Sequence, residues 1–206
     1  MVIVSGPTGS GKSTSLYASL KEIKDEAINI TTVEDPVEYQ LDGVSQVQVF
    51  EDIGLTFASS LRSILRQDPD ILLIGEIRDG ETADIAVKFS LTGHLVFSTV
   101  HANDASSTIT RLLDIGIPPF LVGSCVNLVM AQRLVRRLCK ECAEEYEPSD
   151  QELYVVGLDK KRLNGSKLTK SAGCRKCRNT GYKGRIAIFE IIPMSREIRK
   201  LIFNNA

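Results

Sequence analysis

Short β-branched and apolar runs alternate with helix-spaced apolar positions along the first 130 residues, predicting an α/β domain with a mostly parallel sheet. Val2 to Ser5 read as a buried strand. Leu16, Leu20 and Ile23, at i, i+4 and i+7, form one face of the helix that follows. Ile28 to Val33 predict a second strand, and Val44, Val47 and Val49 lie in a stretch of partial strand alternation. Phe57, Leu61, Ile64 and Leu65 make a helical stripe behind Thr56 as N-cap. Ile71 to Ile74 is the wholly apolar kind of strand that is buried on both faces. Glu81 to Leu91 suit a helix with Gly93 just past its end, Leu95 to Val100 return to strand, and Asp104 caps a helix that turns Ile109, Leu112 and Leu113 inward. Pro118 and Pro119 precede an apolar helix expected to run through Met130 and to turn basic at Arg133, Arg136 and Arg137. At Cys139 the pattern changes. To about Arg185 the chain is polar and Lys/Arg-rich with little helical periodicity, which predicts a small loop-rich module before a strand at Ile186 to Ile192 and a short helix from Ser195. The expected division is a core over 1–136 and a second module over 137–206.

Composition narrows the class. With 206 residues, 43% hydrophobic and 25% charged, the chain can bury a real core and is neither disordered nor fibrous as a whole. No apolar run approaches the roughly 18 residues of a membrane span. The chain opens without a basic segment and apolar stretch of the secretory kind, so a cytoplasmic protein is expected. The net charge of −1 conceals an asymmetry, because residues 1–132 hold 8 Lys/Arg against 17 Asp/Glu and residues 133–206 hold 17 against 9. A basic carboxyl part of this kind either is solvated or meets an anionic lipid surface, a nucleic acid or an acidic neighbour. Lys160, Lys161 and Arg162 are the positions at which charge reversal would test such docking.

Gly6, Pro7, Thr8, Gly9, Ser10, Gly11, Lys12 and Ser13 match G-x-x-x-x-G-K-[ST], placed between a strand and a helix and followed by Thr14. Glycines let successive N–H groups turn inward on phosphate oxygens, and the helix N-terminus adds positive potential. Lys12 is expected on the β- and γ-phosphates and the Ser13 hydroxyl on Mg²⁺. Hydrolysis also needs a group that orients or deprotonates water, and carboxylates at strand ends are the natural suppliers. Two clusters qualify: Glu34-Asp35-Pro36-Val37-Glu38 after the second strand, and Gly75-Glu76 after Ile71–Ile74. In open α/β sheets both should converge on the phosphate crevice. Glycine at 75, where an Asp is usual, leaves Glu76 as the carboxylate there. The two histidines, His94 and His101, bracket the strand Leu95 to Val100 and are candidate phosphate sensors.

Cys139-x-x-Cys142 and Cys174-x-x-Cys177 form two CxxC pairs separated by 31 residues. The spacing points to a tetrahedral Zn²⁺ with no open position, hence a structural site; disulfides are the alternative. Cys125 reads as a small buried hydrophobe.

Taken together, these motifs resemble the secretion ATPase family, in its type II secretion and type IV pilus assembly branch. Gly6 to Ser13 is similar to its Walker A, Glu34 to Glu38 to its Asp box, Ile71 to Glu76 with Arg78 and Asp79 to its atypical Walker B, Thr92 to His101 to its His box, and the cysteines to its tetracysteine insertion. The resemblance implies a RecA-like P-loop core with a small tetracysteine zinc module and a carboxyl-terminal strand and helix. It further implies a homo-hexamer that hydrolyses ATP to drive pseudopilus or pilus assembly, on the cytoplasmic platform of the inner membrane. Glu38 would be the water-activating base and Glu76 the Walker B acid. His94 and His101 would contact the phosphate end, and Arg62, Arg66 and Arg78 would lie near nucleotide or subunit contacts. The family places a further domain ahead of this one, so the isolated 206 residues are expected to bind nucleotide poorly and turn over slowly. A nucleic-acid translocase is the rival motor, but Tyr146, Tyr154, Tyr182, Phe189 and Phe203 form no stacking series. A non-hydrolysing scaffold is the rival outside the enzymes.

Overall fold

The computed structural model describes residues 1–163 and 165–204, without the side chains of Lys160 and Arg162. Of the three positions suited to charge reversal, those two therefore lie outside the described side chains; Lys161 is exposed. The chain divides into two compact units, one of Met1–Arg133 with the chain from Ala187 onward, the other of Leu134–Ile186. The sequence pattern, by contrast, runs 137–206 together as one module.

The first unit is built on strands β1 (Val2–Ser5), β2 (Ile30–Glu34), β3 (Ser45–Gln48), β4 (Ile71–Ile74) and β5 (Leu95–Val100), joined by β6 (Leu128–Leu138) and β9 (Tyr182–Pro193), which continue into the second unit. The strand order is β3-β2-β4-β5-β1-β6-β9. Every neighbour pair from β3 to β6 is parallel, which requires crossover connections rather than tight hairpins. Helices α1 (Lys12–Ile23), α2 (Phe57–Ile64), α3 (Gly80–Leu91), α4 (Ala105–Asp114) and α5 (Pro119–Cys125) fill the connections, and α8 (Arg196–Phe203) ends the unit.

Alternation along the strands separates two cores. Ile3, Leu72 and Ile74 face a cluster with Leu61 of α2, Ala86 of α3 and Leu112 of α4. Val4, Ile71 and Leu73 face the opposite cluster with Leu16, Tyr17 and Leu20 of α1. β4 is buried at all four positions, as its unbroken apolar run predicts. Thr56 and Asp104 cap α2 and α4 as expected, each completing a reciprocal box with the serine three residues on.

One expected helix is corrected. The apolar run from Leu121 to Met130 does not continue as helix; α5 stops at Cys125, Val126 is extended, and Leu128 to Ala131 pair with Val2 to Ser5 of β1. A short apolar run fits either element by periodicity alone. Here β1 requires a second neighbour strand, and Arg133, Arg136 and Arg137 accordingly lie on β6.

The second unit carries an antiparallel pair of β7 (Ala143–Tyr146) and β8 (Leu168–Ser171), with α6 (Asp150–Val155) and α7 (Lys160–Leu163) between them in the chain. This is more regular than the loop-rich stretch expected, because Ser149 begins α6 with a full capping box to Glu152.

Candidate functional site

The loop between β1 and α1 curls back on itself through Gly6, Gly9 and Gly11, all at positive φ. Gly6 is required sterically: a Cβ there would lie 2.3 Å from the carbonyl oxygen of Gln132 and 2.7 Å from Ser10 Oγ. Lys12 Nζ donates to the carbonyls of Gly6 (2.8 Å) and Pro7 (3.2 Å), so the ammonium lies over the loop. Burial lowers the Lys12 pKa and the charge of Glu76 raises it, which places the two charges in one field. The α1 N-cap, Gly11, supplies no side-chain acceptor to the first-turn amides. Ser10 Oγ is buried without a hydrogen-bond partner among the described residues. A glycine-lined concavity, a cation, open helix amides and an orphaned hydroxyl suit a phosphate group.

The strand ends beside this loop bring charge together. Glu76 follows β4 with its side chain only 13% exposed; Oε1 lies 3.2 Å from His101 Nε2 and Oε2 accepts from Arg78 Nε at 2.7 Å. Arg78 reaches Asp35 at 3.8 Å. A continuous chain Asp35–Arg78–Glu76–His101 thus spans the carboxyl ends of β2, β4 and β5 next to β1, as the topology rule for such sheets requires. A serine hydroxyl at 13 and a carboxylate at 76 are oxygen donors of the type that suits Mg²⁺.

In the second unit the four cysteines meet. All four Sγ atoms lie within 4.8 Å of one another. The measured edges are 3.9 Å (Cys139–Cys174), 3.8 Å (Cys142–Cys177) and 3.7 Å (Cys177–Cys174). Four sulfurs about 2.3 Å from one ion stand about 3.8 Å apart, whereas a disulfide needs about 2.05 Å. The thiols are free at these separations, and the set fits a tetrahedral metal better than a disulfide pair. Burial pushes the Cys177 thiol up, but amides of Cys174 and Gly181 and the neighbouring sulfurs outweigh it and bring it down to about 6, toward the thiolate a metal needs. Lys176 bonds Glu141 at 2.8 Å, tying one CxxC turn to the other.

Comparison with known proteins follows the same lines. A family model described as "Type II/IV secretion system protein" matches residues 1–206. The chain belongs to that family. It is 51% identical over 207 residues to the type IV pilus assembly ATPase PilB of Myxococcus xanthus (strain DK1622), covering all of this chain and 37% of that one. It is 50% identical over 206 residues to the type II secretion system protein E of Pseudomonas aeruginosa (strain PAO1), covering 41% of it. The chain therefore spans 37–41% of the length of these relatives. Among solved structures, the pilus retraction motor PilT with bound ADP matches with a TM-score of 0.70 at 30% identity, over 99% of this chain and 50% of that one. The Legionella pneumophila ATPase DotB matches at 0.65 and 24% identity, over 97% and 47%, which shows the shared fold. No helix among the described residues is long and apolar enough to cross a membrane.

Against this secretion-family background, the predicted residues separate into groups. Gly6, Lys12, Glu76, Arg78 and His101 stand at one end of the sheet. Glu38 is exposed in the loop after β2. His94 is not brought there. It precedes β5, a six-residue strand of about 20 Å, whereas His101 follows it. His94 stacks on Phe89 (4.2 Å between centroids) and lies 2.9 Å from Thr92 Oγ1, closing the end of α3. Arg62 is bonded to Glu81 of α3, and Arg66 is exposed beyond α2. Sequence reading missed Gln132. Only 2% exposed on β6, it donates to the Ser10 carbonyl at 2.9 Å and accepts from Ser15 Oγ at 2.8 Å, tying the phosphate loop to the first turn of α1. The signal is one amide directly after the apolar run Leu128 to Ala131, but nothing local says which loop it meets.

Proposed function

We propose that this chain is the RecA-like catalytic domain of a motor ATPase that powers type II secretion or type IV pilus assembly. The observation that supports it best is the juxtaposition of the Gly6–Ser13 loop, holding Lys12, with the Asp35–Arg78–Glu76–His101 chain at the same strand ends. Its functional division is a nucleotide-binding core over 1–136 and a carboxyl part over 137–206, of which the stretch up to Ile186 is the zinc-stabilised module.

In this reading the loop amides and Lys12 hold the β- and γ-phosphates of ATP, and the Ser13 hydroxyl with Glu76 holds Mg²⁺. The bound Mg²⁺ supplies neutralisation of phosphate charge. Glu38 orients and deprotonates the attacking water, and His101, held by Glu76, donates toward the departing phosphate. Arg78 fixes the Glu76 carboxylate from its other oxygen. His94 acts on the nucleotide end only across a subunit boundary, with Arg62 and Arg66 as further candidates for contacts between copies. The oligomer is a homo-hexamer working at the cytoplasmic face of an inner-membrane platform, with the basic carboxyl part meeting that platform or an anionic lipid surface. Cys139, Cys142, Cys174 and Cys177 hold a structural Zn²⁺.

Phosphate release and nucleotide binding in the full-length oligomer test this. Lys12→Ala abolishes nucleotide binding. Glu38→Gln retains binding and lowers kcat by about 10²–10⁴-fold, the range of a lost general base. Normal turnover by Glu38→Gln removes Glu38 from the mechanism.

A further inference from the structure

The loop from Asp35 to Leu41, which carries Glu38, is held from outside by two glutamines of β3. Gln48 Oε1 accepts the Val37 amide at 3.2 Å. Gln46 Oε1 accepts the Leu41 amide at 2.7 Å, and its Nε2 donates to the Tyr39 carbonyl at 3.2 Å. The same Nε2 lies 3.2 Å from Glu34 Oε1 and 3.3 Å from the Tyr17 hydroxyl.

Glu34 anchors this arrangement. At 4% exposure its carboxylate also accepts from Thr32 Oγ1 at 2.5 Å and from the Tyr17 hydroxyl, so its charge is spent on buried hydrogen bonds. Burial and the bond to Glu34 push the Tyr17 phenol well up, so it stays a protonated donor to that carboxylate. The Tyr17 ring meets the Tyr39 ring edge-on at 4.8 Å. Glu38 is thus flanked on both sides by backbone tied to β3 and to α1, the helix that begins at Lys12, while its own side chain stays exposed.

We propose that Gln46 and Gln48 are positioning residues for water activation: they fix the backbone on either side of Glu38 so that its carboxylate is presented at one place above the phosphate loop. This rests on the role given to Glu38 above. The physical expectation is that a general base displaced by about 1 Å loses about 10²-fold in rate, although neither glutamine touches nucleotide.

Steady-state kinetics on the full-length oligomer, with binding of a non-hydrolysable ATP analogue measured in parallel, test it. Gln48→Met removes the acceptor for the Val37 amide at nearly constant volume; Gln48→Glu keeps it. Gln46→Met removes the Leu41, Tyr39 and Glu34 contacts together. The expected result is a loss in kcat of about 10–10²-fold in both Met variants, with analogue affinity changed less than about twofold, near-wild-type kcat for Gln48→Glu, and no further loss when Gln48→Met is added to Glu38→Gln. Wild-type kcat in both Met variants alongside an inactive Glu38→Gln overturns the proposal and leaves the base in place. So does an equal loss in Gln48→Glu and Gln48→Met, or full additivity with Glu38→Gln. Normal turnover by Glu38→Gln removes the base itself, and the positioning role with it.

Discussion

Gly75 shows how one residue can encode a close approach between strands. A Cβ there would stand 3.2 Å from the Glu34 Cα and 3.3 Å from the Val33 carbonyl, while its amide already donates to that carbonyl at 2.7 Å. A side chain at 75 would require the ends of β2 and β4 to part by a few tenths of an ångström; with glycine there, the first carboxylate after β4 is Glu76. In the sequence this is only an irregularity in a familiar motif, because the crowding atoms come from a strand about forty residues earlier. Gly75→Ala should destabilise the fold by roughly 1–3 kcal/mol, the range for overpacking, read from the urea midpoint at constant m-value. An unchanged midpoint would show that the strands separate freely.

Elements were legible where their signals are local. The amphipathic stripe of α2 and its Thr56 cap are contiguous in the chain, and Leu61, fully buried, is the centre of that stripe. Leu61→Ala should cost about 2–5 kcal/mol by calorimetry or denaturant titration. The Asp104 cap of α4 is equally local. Its carboxyl is held below its ordinary value by the Ser107 amide first, then by the Ser107 and Ser106 hydroxyls. A carboxylate with a depressed folded pKa contributes stability that is present above the unfolded value of 3.8 and lost as pH falls through the folded one. The stability gap between wild type and Asp104→Ala should therefore be constant from about pH 5 to 8 and close below about pH 4; a gap that persists at about pH 2 would contradict this charge-dependent part. β6 was illegible for the opposite reason. Whether Leu128 to Met130 coil or extend is decided by an open edge on β1, not by their own sequence.

At the scale of the molecule, the two units depend on different forces. The first has two apolar clusters on opposite faces of its sheet, whereas the described core of the second is small, with Leu153 and two of the cysteines among its buried residues. Without a large core, a short stretch needs a metal or a comparable cross-link. Chelation of a zinc-loaded protein should open the Leu134–Ile186 region to proteases while the Met1–Arg133 region stays resistant. Metal analysis should find one zinc per chain, lost in Cys142→Ser. Proteolysis that is unaffected by chelator, or zinc retained in that variant, would count against a structural metal.

The sequence by itself determined what contiguous residues can do: the glycines and Lys12 of the phosphate loop, the paired cysteines, the helix caps and the alternation that makes the sheet parallel. Tertiary structure alone decided what depends on distant backbone. It set His101 against Glu76 and His94 against Phe89, joined Asp35 to Glu76 through Arg78, set Gln132 beneath the phosphate loop, and ran Gln46 and Gln48 along the loop that carries Glu38. The reason is geometric. A motif is fixed by bonds along the chain, but a parallel sheet brings strand ends together in an order set by crossovers, and only that order decides which side chains share the site.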